Sequence, residues 1–194
     1  MTMAFDAPSD LADDVLLRRF ASGDAAAARA LTLRLTPRVH AHAMRLLGDR
    51  AEAEDVTQEA LLRLWRIAPD WREGEAKVST WLYRVTANLA TDRLRKRRGV
   101  ALDSVPEPED DAQGAASLLQ DKARAAALQR ALAALPDRQR QAVVLRHLEG
   151  LGNPEIAGIM DISAEAVESL LARGKRALTA ALSGRRAELG YEDD

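Results

Sequence analysis

The chain has 194 residues, no cysteine and a formal net charge of −2. The absence of cysteine excludes a disulfide framework, a thiol nucleophile and a zinc site built on cysteine. The first residues, Met1 to Asp14, lack the basic start and apolar run of a secretory signal peptide, and no apolar stretch approaches the length needed to cross a bilayer. We therefore expect a cytoplasmic protein without membrane insertion.

Abundant alanine, leucine, arginine and glutamate favour helices at the start of the chain. Asp10 is placed to cap a short helix that ends near Phe20. Gly23-Asp24 should begin a second helix, which Pro37 is expected to interrupt or restart, because proline lacks the backbone N–H that a helix interior uses.

The next two helices carry clear start signals. Gly48-Asp49 should end one helix and cap another over Arg50–Ile67, with Glu52 placed for a capping box. One apolar stripe of that helix contains Val56, Ala60, Leu61, Leu64 and Trp65. Pro69–Lys77 is predicted to be a loop, after which Ser79 should cap a long helix that ends at Arg98. The inward side chains of this last helix are expected to be Trp81, Leu82, Val85 and Leu89.

The helical pattern fails between Gly99 and Asp121, where prolines and acidic residues predict a flexible linker. Helices should follow at Lys122–Leu135, Pro136–Leu148, from Asn153-Pro154 (as N-cap and N1) to Met160, and Ala164–Leu182. The last two, separated by Asp161-Ile162-Ser163, form a helix-turn-helix pattern. The prediction is an all-α protein: a domain at 1–98, a flexible acidic linker at 99–121 and a domain at 122–194.

A second, polar face accompanies the apolar stripe of the helix at Arg50–Ile67. Its members at helical spacing are Asp55, Gln58, Glu59, Leu62 and Arg66. One interpretation is a solvated face with a Glu59–Arg63 pair, worth a few tenths of a kcal/mol. A metal site on Glu52, Asp55 and Glu59 is the enzyme alternative, but no histidine, phosphate loop or nucleophile accompanies it. The chain's three histidines are not arranged as metal ligands either.

Positive charge concentrates at two places despite the near-neutral total. Arg95-Lys96-Arg97-Arg98 ends one helix, and Arg173, Lys175 and Arg176 lie on the last one. Cations at a helix C-terminus are favoured by the helix dipole, but four in succession exceed that need and would attract phosphates. Trp71 and Trp81 nearby are candidates either for the core or for stacking a single-stranded base.

The motifs resemble those of a known family. Asp55–Trp65 (DVTQEALLRLW) and Thr80–Arg98 (TWLYRVTANLATDRLRKRR) are similar to region 2 of extracytoplasmic-function (ECF) sigma factors, group 4 of the sigma-70 family. Ala134–Pro136, Gln141–Arg146, Glu149–Leu151 and Glu155–Ala157 resemble region 4 of the same family. The resemblance covers nearly the whole chain except the linker and the tail.

The resemblance implies an alternative sigma factor, which is not an enzyme and has no catalytic residue, cofactor or metal. It would bind core RNA polymerase through the clamp helices of the largest subunit and the flap, recognise promoter DNA, open it without ATP, and be held by an anti-sigma factor, in a stress response. The polymerase-binding residues would be Asp55, Gln58, Glu59, Leu62 and Arg63. The −10 element would be bound by Trp71, Arg72, Lys77, Arg84, Asn88, Asp92, Arg95, Lys96, Arg97 and Arg98. The −35 element would be bound by Ser163, Glu165, Ala166, Glu168, Ser169, Arg173, Lys175 and Arg176.

Two stretches depart from the family pattern. The last helix begins Ala166-Val-Glu168-Ser-Leu170 where family members usually have a Thr-Val-Lys-Ser-Arg-like sequence. Glu168 removes a possible phosphate or guanine contact, but a glutamate can accept a hydrogen bond from cytosine N4, or it can pair with Arg173 or Lys175. Leu151–Pro154 (LGNP) also replaces the usual Leu-Ser-Tyr-x.

Two rival functions remain at this point. An ordinary helix-turn-helix regulator, with an amino-terminal sensing or dimerisation domain, would bind duplex DNA sequence-specifically without polymerase. A hydrolase or nuclease would need a constellation of catalytic residues that the chain does not present.

Overall fold

The computed structural model describes residues 11–72, 74, 76–100 and 116–183, without the side chains of residues 99–100 and 116–122. These ranges are helical and contain no strand, which confirms the all-α prediction. The helices are α1 (Asp13–Ala21), α2 (Ala25–Leu47), α3 (Arg50–Ile67), α4 (Val78–Val100), α5 (Ala116–Ala133), α6 (Asp137–Val143), α7 (Asn153–Met160) and α8 (Ala164–Ser183). A 3₁₀ turn at Ala68–Asp70 follows α3, and a π-helical turn at Val144–Leu148 follows α6.

The chain divides into two compact units, one of residues 1–44 and 49–90 and the other of residues 45–48 and 91–194. The core of the first unit is made of buried aliphatic side chains from α1 to α4: Leu16, Leu17, Ala27, Leu31, Leu35, Val39, Ala60, Leu61, Leu64, Ala68, Val78 and Leu82. Phe20 lies with its ring 4.7 Å from that of Trp65 at the edge of this core. Burial of these aliphatic side chains supplies the main free energy that holds the helices together.

Two predicted helix starts are confirmed. The Asp24 carboxylate accepts hydrogen bonds from the backbone N–H groups of Ala26 and Ala27, at 2.9 and 3.1 Å. Asp49 accepts from the N–H of Glu52 at 2.9 Å, and Gly48 before it has a φ of +69°, a left-handed conformation that suits glycine. Asp10, the predicted cap of the first helix, lies outside the described residues.

The prediction that Pro37 interrupts its helix is wrong, because α2 continues through it. Proline in a helix interior costs about 3 kcal/mol and leaves the carbonyl of Leu33 without its helical partner. The same side of α2 is buried both before and after the proline, at Leu31, Leu35, Val39 and Ala43. Packing of both halves into one core therefore outweighs the local cost.

The boundaries of α4 and α5 also differ from the prediction. α4 begins at Val78, with the N–H of Trp81 bonded to the carbonyl of Lys77, so Ser79 lies inside the helix rather than at its cap. Burial of Val78 accounts for the earlier start, since its side chain belongs to the core. The predicted linker at 99–121 is helical at both ends, up to Val100 and from Ala116, and its residues 101–115 lie outside the described ranges.

The second unit is built around α8, which contacts α5, α6 and α7. Its buried residues include Leu132, Leu135, Ala142, Val143, Val144, Leu145, Ile156, Ile159, Met160 and Val167. Gly174 of α8 lies so close to α6 that a Cβ at this position would be 2.6 Å from Cγ2 of Val143. The absence of a side chain at Gly174 is thus what allows α6 and α8 to approach each other.

Arg140 binds the backbone carbonyls at the end of α5. Arg140 is only 7% exposed. It donates hydrogen bonds to the carbonyls of Leu132 and Ala133, both at 2.8 Å, and of Leu135 at 3.1 Å. Burial lowers the pKa of Arg140 from its ordinary value, opposed by the nearby charge of Asp137. The guanidinium supplies donors to carbonyls that the end of a helix leaves without helical partners.

The helix-turn-helix prediction is confirmed in its turn and corrected at its first cap. Asp161 has a φ of 52°, and the Ser163 hydroxyl accepts from the N–H of Ala166 at 3.2 Å, so the chain reverses at Asp161–Ser163 and α8 starts there. α7, however, has Gly152 rather than Asn153 at its N-cap position, and the Gly152 N–H donates to the Glu155 carboxylate at 3.1 Å. Asn153 is therefore the first residue of the helix.

Candidate functional site

The first candidate surface, the α3 face, consists of Asp55, Gln58, Glu59, Leu62 and Arg63. The opposite side of α3 is anchored by Val56, Ala60 and Leu64, which are fully buried, as the sequence predicts. Leu62 is 48% exposed although it is a large aliphatic residue. Leu62 thus adds an exposed apolar area to the charged groups of the α3 face.

The predicted Glu59–Arg63 pair on this face is confirmed. Nε of Arg63 lies 2.8 Å from Oε1 of Glu59, one helical turn apart. The hydrogen bond from Arg63 lowers the pKa of the Glu59 carboxyl, against the opposing effect of desolvation. The charges of Glu59 and Arg63 are therefore paired within their own helix.

The second candidate surface, the α4 face, is the exposed side of α4 with Arg84, Asn88, Asp92 and Arg95. These positions share one side because they are spaced by three or four residues. The opposite side contains Leu82, which is buried, and Trp81, Val85 and Leu89, which pack against the core, as predicted. Arg95 and Asp92 form an exposed ion pair with Nη2 and Oδ1 2.7 Å apart.

The two tryptophans near the start of α4 contact each other. Their rings are nearly perpendicular, with centroids 6.0 Å apart, and both pack against the core of the first unit. The core interpretation of Trp81 is thus confirmed. Trp71 is half-buried, and its Nε1 is buried without a hydrogen bond among the described residues. In the loop that follows, Arg72 and Lys77 are exposed, and residues 73 and 75 lie outside the described ranges.

The basic cluster at Arg95–Arg98 is less uniform than its sequence suggests. Arg98 forms an ion pair with Asp137 at 2.7 Å within the second unit. Arg97 is half-buried and donates to the carbonyl of Leu47 at 3.5 Å. Lys96 is exposed. The charge of Arg98 is thus already paired with a carboxylate of this chain when no phosphate is bound.

The third candidate surface, the α8 face, is the exposed side of the last helix. It comprises Glu165, Glu168, Ser169, Arg173 and Arg176, opposite the buried Val167 and Gly174. Ser163 and Lys175 are also exposed, whereas Ala166 is half-buried, which places that predicted site residue between the surface and the core. The first turn is acidic and the later turns are basic. The Glu165 N–H and the Ser163 hydroxyl lower the pKa of the Glu165 carboxyl.

Glu168 does not pair with the cations of its own helix. Its Oε1 accepts from Nδ2 of Asn153 on α7, at 3.5 Å. Nε of Arg173 donates instead to the carbonyl of Ser169, at 3.2 Å. Asn153 is thus a residue that the sequence interpretation missed, because Asn before Pro is a common capping pair. The signal available was Gly152 followed three residues later by Glu155, which places the cap one residue earlier.

Comparison with known proteins agrees with this geometry. Residues 31–100 match the family described as Sigma-70 region 2, and residues 125–178 match Sigma-70, region 4. The chain is 34% identical over 155 residues to the ECF RNA polymerase sigma factor SigE of Mycolicibacterium smegmatis, covering 78% of this chain and 60% of that protein. It is 31% identical over 181 residues to the RNA polymerase sigma-H factor of Pseudomonas aeruginosa, covering 88% of this chain and 93% of that protein.

Two solved structures are also similar. One is CnrH in complex with the cytosolic domain of CnrY, with a TM-score of 0.65 and 25% identity, covering 89% of this chain and 97% of that chain. The other is the sigma factor RpoE in complex with the anti-sigma factor NepR from Bartonella quintana, which shares the fold with a TM-score of 0.60 and 23% identity, over 78% of this chain and 94% of that chain.

These matches decide between the functions that the sequence left open. A helix-turn-helix regulator would not contain region 2, and a hydrolase or nuclease is wrong because sigma factors are not catalytic. Within the described part of the chain, no helix is both long and apolar enough to span a membrane. The chain belongs to the ECF sigma factors of the sigma-70 family, with which RNA polymerase initiates transcription.

Proposed function

We propose that the three surfaces divide the work of a cytoplasmic sigma factor: the α3 face binds core polymerase, the α4 face with the preceding loop binds the −10 element, and the α8 face binds the −35 element. The first domain, residues 1–98, contains the first two surfaces, and the second domain, residues 122–194, contains the third. Residues 99–121 form the linker between the two domains. The observation that supports this division best is that each face projects polar side chains from a helix whose other side is buried.

Polymerase binding is assigned to the α3 face because α3 lies within the match to Sigma-70 region 2 and exposes Leu62 among its charged side chains. An apolar side chain that is half exposed in the free chain loses its contact with water when a partner covers it. The clamp helices of the largest subunit are the proposed partner of this face, and the flap is the proposed partner of the second domain. Asp55 and Glu59 would supply charges that fix the orientation of the complex.

Recognition of the −10 element is assigned to Asn88 and its neighbours. The amide of Asn88 can both donate and accept, which suits the edge of an unpaired base, and Arg84 one turn earlier can bind a phosphate. Opening the duplex costs a few kcal/mol per unstacked base, and capture of the displaced strand offsets this cost without ATP.

An anti-sigma factor is the remaining proposed partner. The solved relatives CnrH and RpoE are each bound to a second protein, named an anti-sigma factor in the case of NepR. Such a partner would cover the α3 face and so exclude core polymerase. Competition between the two for this chain, measured by native gel shift, tests that arrangement.

The test of the assignment is promoter opening by the reconstituted holoenzyme. Asn88→Ala should change base preference at the −10 element and reduce strand opening, followed by permanganate reactivity, while closed-complex affinity is kept. Arg29→Ala, at an exposed position of α2 outside all three surfaces, is the control. Unchanged opening and preference in Asn88→Ala would remove Asn88 from the DNA-binding surface.

A further inference from the structure

Asn153 and Glu168 connect the two helices of the helix-turn-helix. Nδ2 of Asn153 lies 3.5 Å from Oε1 of Glu168, and the two residues are 15 apart in the chain. A carboxylate only accepts hydrogen bonds, so the amide must turn its NH₂ group toward Glu168 and its oxygen away. That oxygen, Oδ1, is buried and has no hydrogen-bond partner among the described residues.

Helix capping does not explain this arrangement. Gly152 occupies the N-cap position of α7, and its N–H is bound by Glu155 at 3.1 Å. Burying an amide oxygen without a partner opposes folding. Stability alone therefore does not account for an asparagine at position 153. Its one hydrogen bond within the described chain goes to an exposed residue of the α8 face.

Glu168 is left with one carboxylate oxygen for a ligand. Oε1 is directed to Asn153, while Arg173 one turn further on bonds to the backbone of Ser169. The side chain is exposed on the same side of α8 as Glu165 and Ser169. Phosphates repel a carboxylate, so in a DNA groove Glu168 is favoured only against an amino group on a base edge.

We propose that Asn153 is a positioning residue that holds Glu168 so that Oε2 accepts a hydrogen bond from N4 of a cytosine in the −35 element. The inference rests on the proposed function, in which the α8 face lies in the major groove. Cytosine N4 and adenine N6 are the amino donors of that groove, and N7 of adenine beside N6 repels a carboxylate. Cytosine is therefore the base that this geometry selects.

The experiment is competition binding of the reconstituted holoenzyme to promoter duplexes in which each −35 base pair is varied in turn. Glu168→Ala should lose about tenfold or more of the preference for one cytosine-containing pair. Asn153→Ala should lose part of the preference at that same pair and at no other. The double variant should lose no more than Glu168→Ala, because the two residues act on one contact.

The melting temperature of Asn153→Ala separates positioning from stability. This variant removes a buried amide oxygen that has no hydrogen-bond donor among the described residues, so the melting temperature should be kept or raised. The preference at the cytosine pair should fall all the same. A purely structural role for Asn153 predicts that stability and preference fall together.

Gly158→Ala is the matched control on α7, since a Cβ there meets nothing within 4 Å, and it should leave every preference unchanged. Wild-type preference in Asn153→Ala, additive losses in the double variant, or unchanged preference in Glu168→Ala would each overturn the inference. A separate variant tests the proposed function itself. If Arg173→Ala, Lys175→Ala and Arg176→Ala together leave binding of the −35 element unchanged, the α8 face does not bind that element.

Discussion

The α3 and α8 faces differ in what fixes their charged side chains. On α3 the Glu59–Arg63 pair lies within one helix, at 2.8 Å and one turn apart. On α8 the carboxylate of Glu168 is bonded from another helix, by Asn153 at 3.5 Å across the turn at Asp161–Ser163. The Glu59–Arg63 pair is thus set by local sequence, whereas the position of Glu168 depends on how two helices pack, and substitutions far from each pair should affect them differently.

The largest effect is expected from reversing charge on the α3 face. Asp55→Lys with Glu59→Lys should weaken binding of core polymerase by about 2–5 kcal/mol, roughly 30-fold or more, because new cations would meet a surface that complements acids. Stability should change by no more than about 0.5 kcal/mol, since both side chains point away from the core. Affinity by fluorescence anisotropy and thermal melting give the two readouts.

Glu54→Lys is the matched control for that double variant. Glu54 is also exposed on α3 and also forms a pair within the helix, with Arg50 at 2.9 Å, but it lies outside the α3 face. Its reversal should leave polymerase binding near the wild-type value. A double variant that unfolds instead of losing affinity would show that the α3 face is structural.

A substitution behind the α8 face should have the next largest effect. Gly174→Ala places a Cβ 2.6 Å from Val143 and should destabilise the second unit by about 1–3 kcal/mol. Gly158→Ala, where a Cβ meets nothing within 4 Å, should instead stabilise by about 0.5–1 kcal/mol. Urea unfolding followed by circular dichroism measures both changes. Equal effects would mean that α6 and α8 can separate without cost.

The basic cluster at Arg95–Arg98 should give a smaller and sequence-independent effect. Lys96→Ala should weaken promoter binding evenly across sequences and reduce the slope of log affinity against log salt by about 0.9, the value for one phosphate contact. Arg98→Ala should reduce the slope less, because Arg98 is paired with Asp137. Gel-shift titrations at several salt concentrations compare the two variants. Equal slopes would show that the ion pair breaks at no cost when DNA binds.

The smallest effect concerns pH. The pKa of Glu59 is lowered by its hydrogen bond from Arg63, so its contribution to stability is complete above the ordinary glutamate pKa of about 4.3. The contribution is lost as pH falls through the lowered value in the folded state. Arg63→Ala and Glu59→Gln should each flatten the fall of the melting temperature below about pH 4.3. A profile identical to the wild type would show that the pair is absent in solution.

Local signals explain what was predictable from the sequence. The caps at Asp24 and Asp49 and the turn at Asp161–Ser163 depend on neighbouring residues, and all three were predicted correctly. The effect of Pro37 was predicted wrongly, because burial of the helix on both sides of it outweighs the local cost of a proline. A short window of sequence does not show that burial.

The surfaces were predictable to a similar degree. Helical spacing was enough to place Asp55, Glu59 and Asn88 on exposed faces. Asn153 was assigned to a cap because Asn before Pro is a common capping pair. Its hydrogen-bond acceptor, Glu168, is 15 residues away, beyond any local pattern. The π-helical turn, in which the N–H of Glu149 bonds to the carbonyl of Val144 at 3.0 Å, also lacked a sequence signal. Tertiary partners, rather than helix propensity, decide these cases.

The contact at Gly174 has a consequence for how promoter choice can evolve. One side of α8 is constrained by Val167 and Gly174, whereas Glu165, Glu168 and Ser169 face solvent on the other. Substitutions at the solvent positions should change stability little, so under the proposed function promoter preference can change without unstable intermediates. The same separation makes these positions the natural choice for a randomised library in which sigma factors with mutually exclusive promoters are selected.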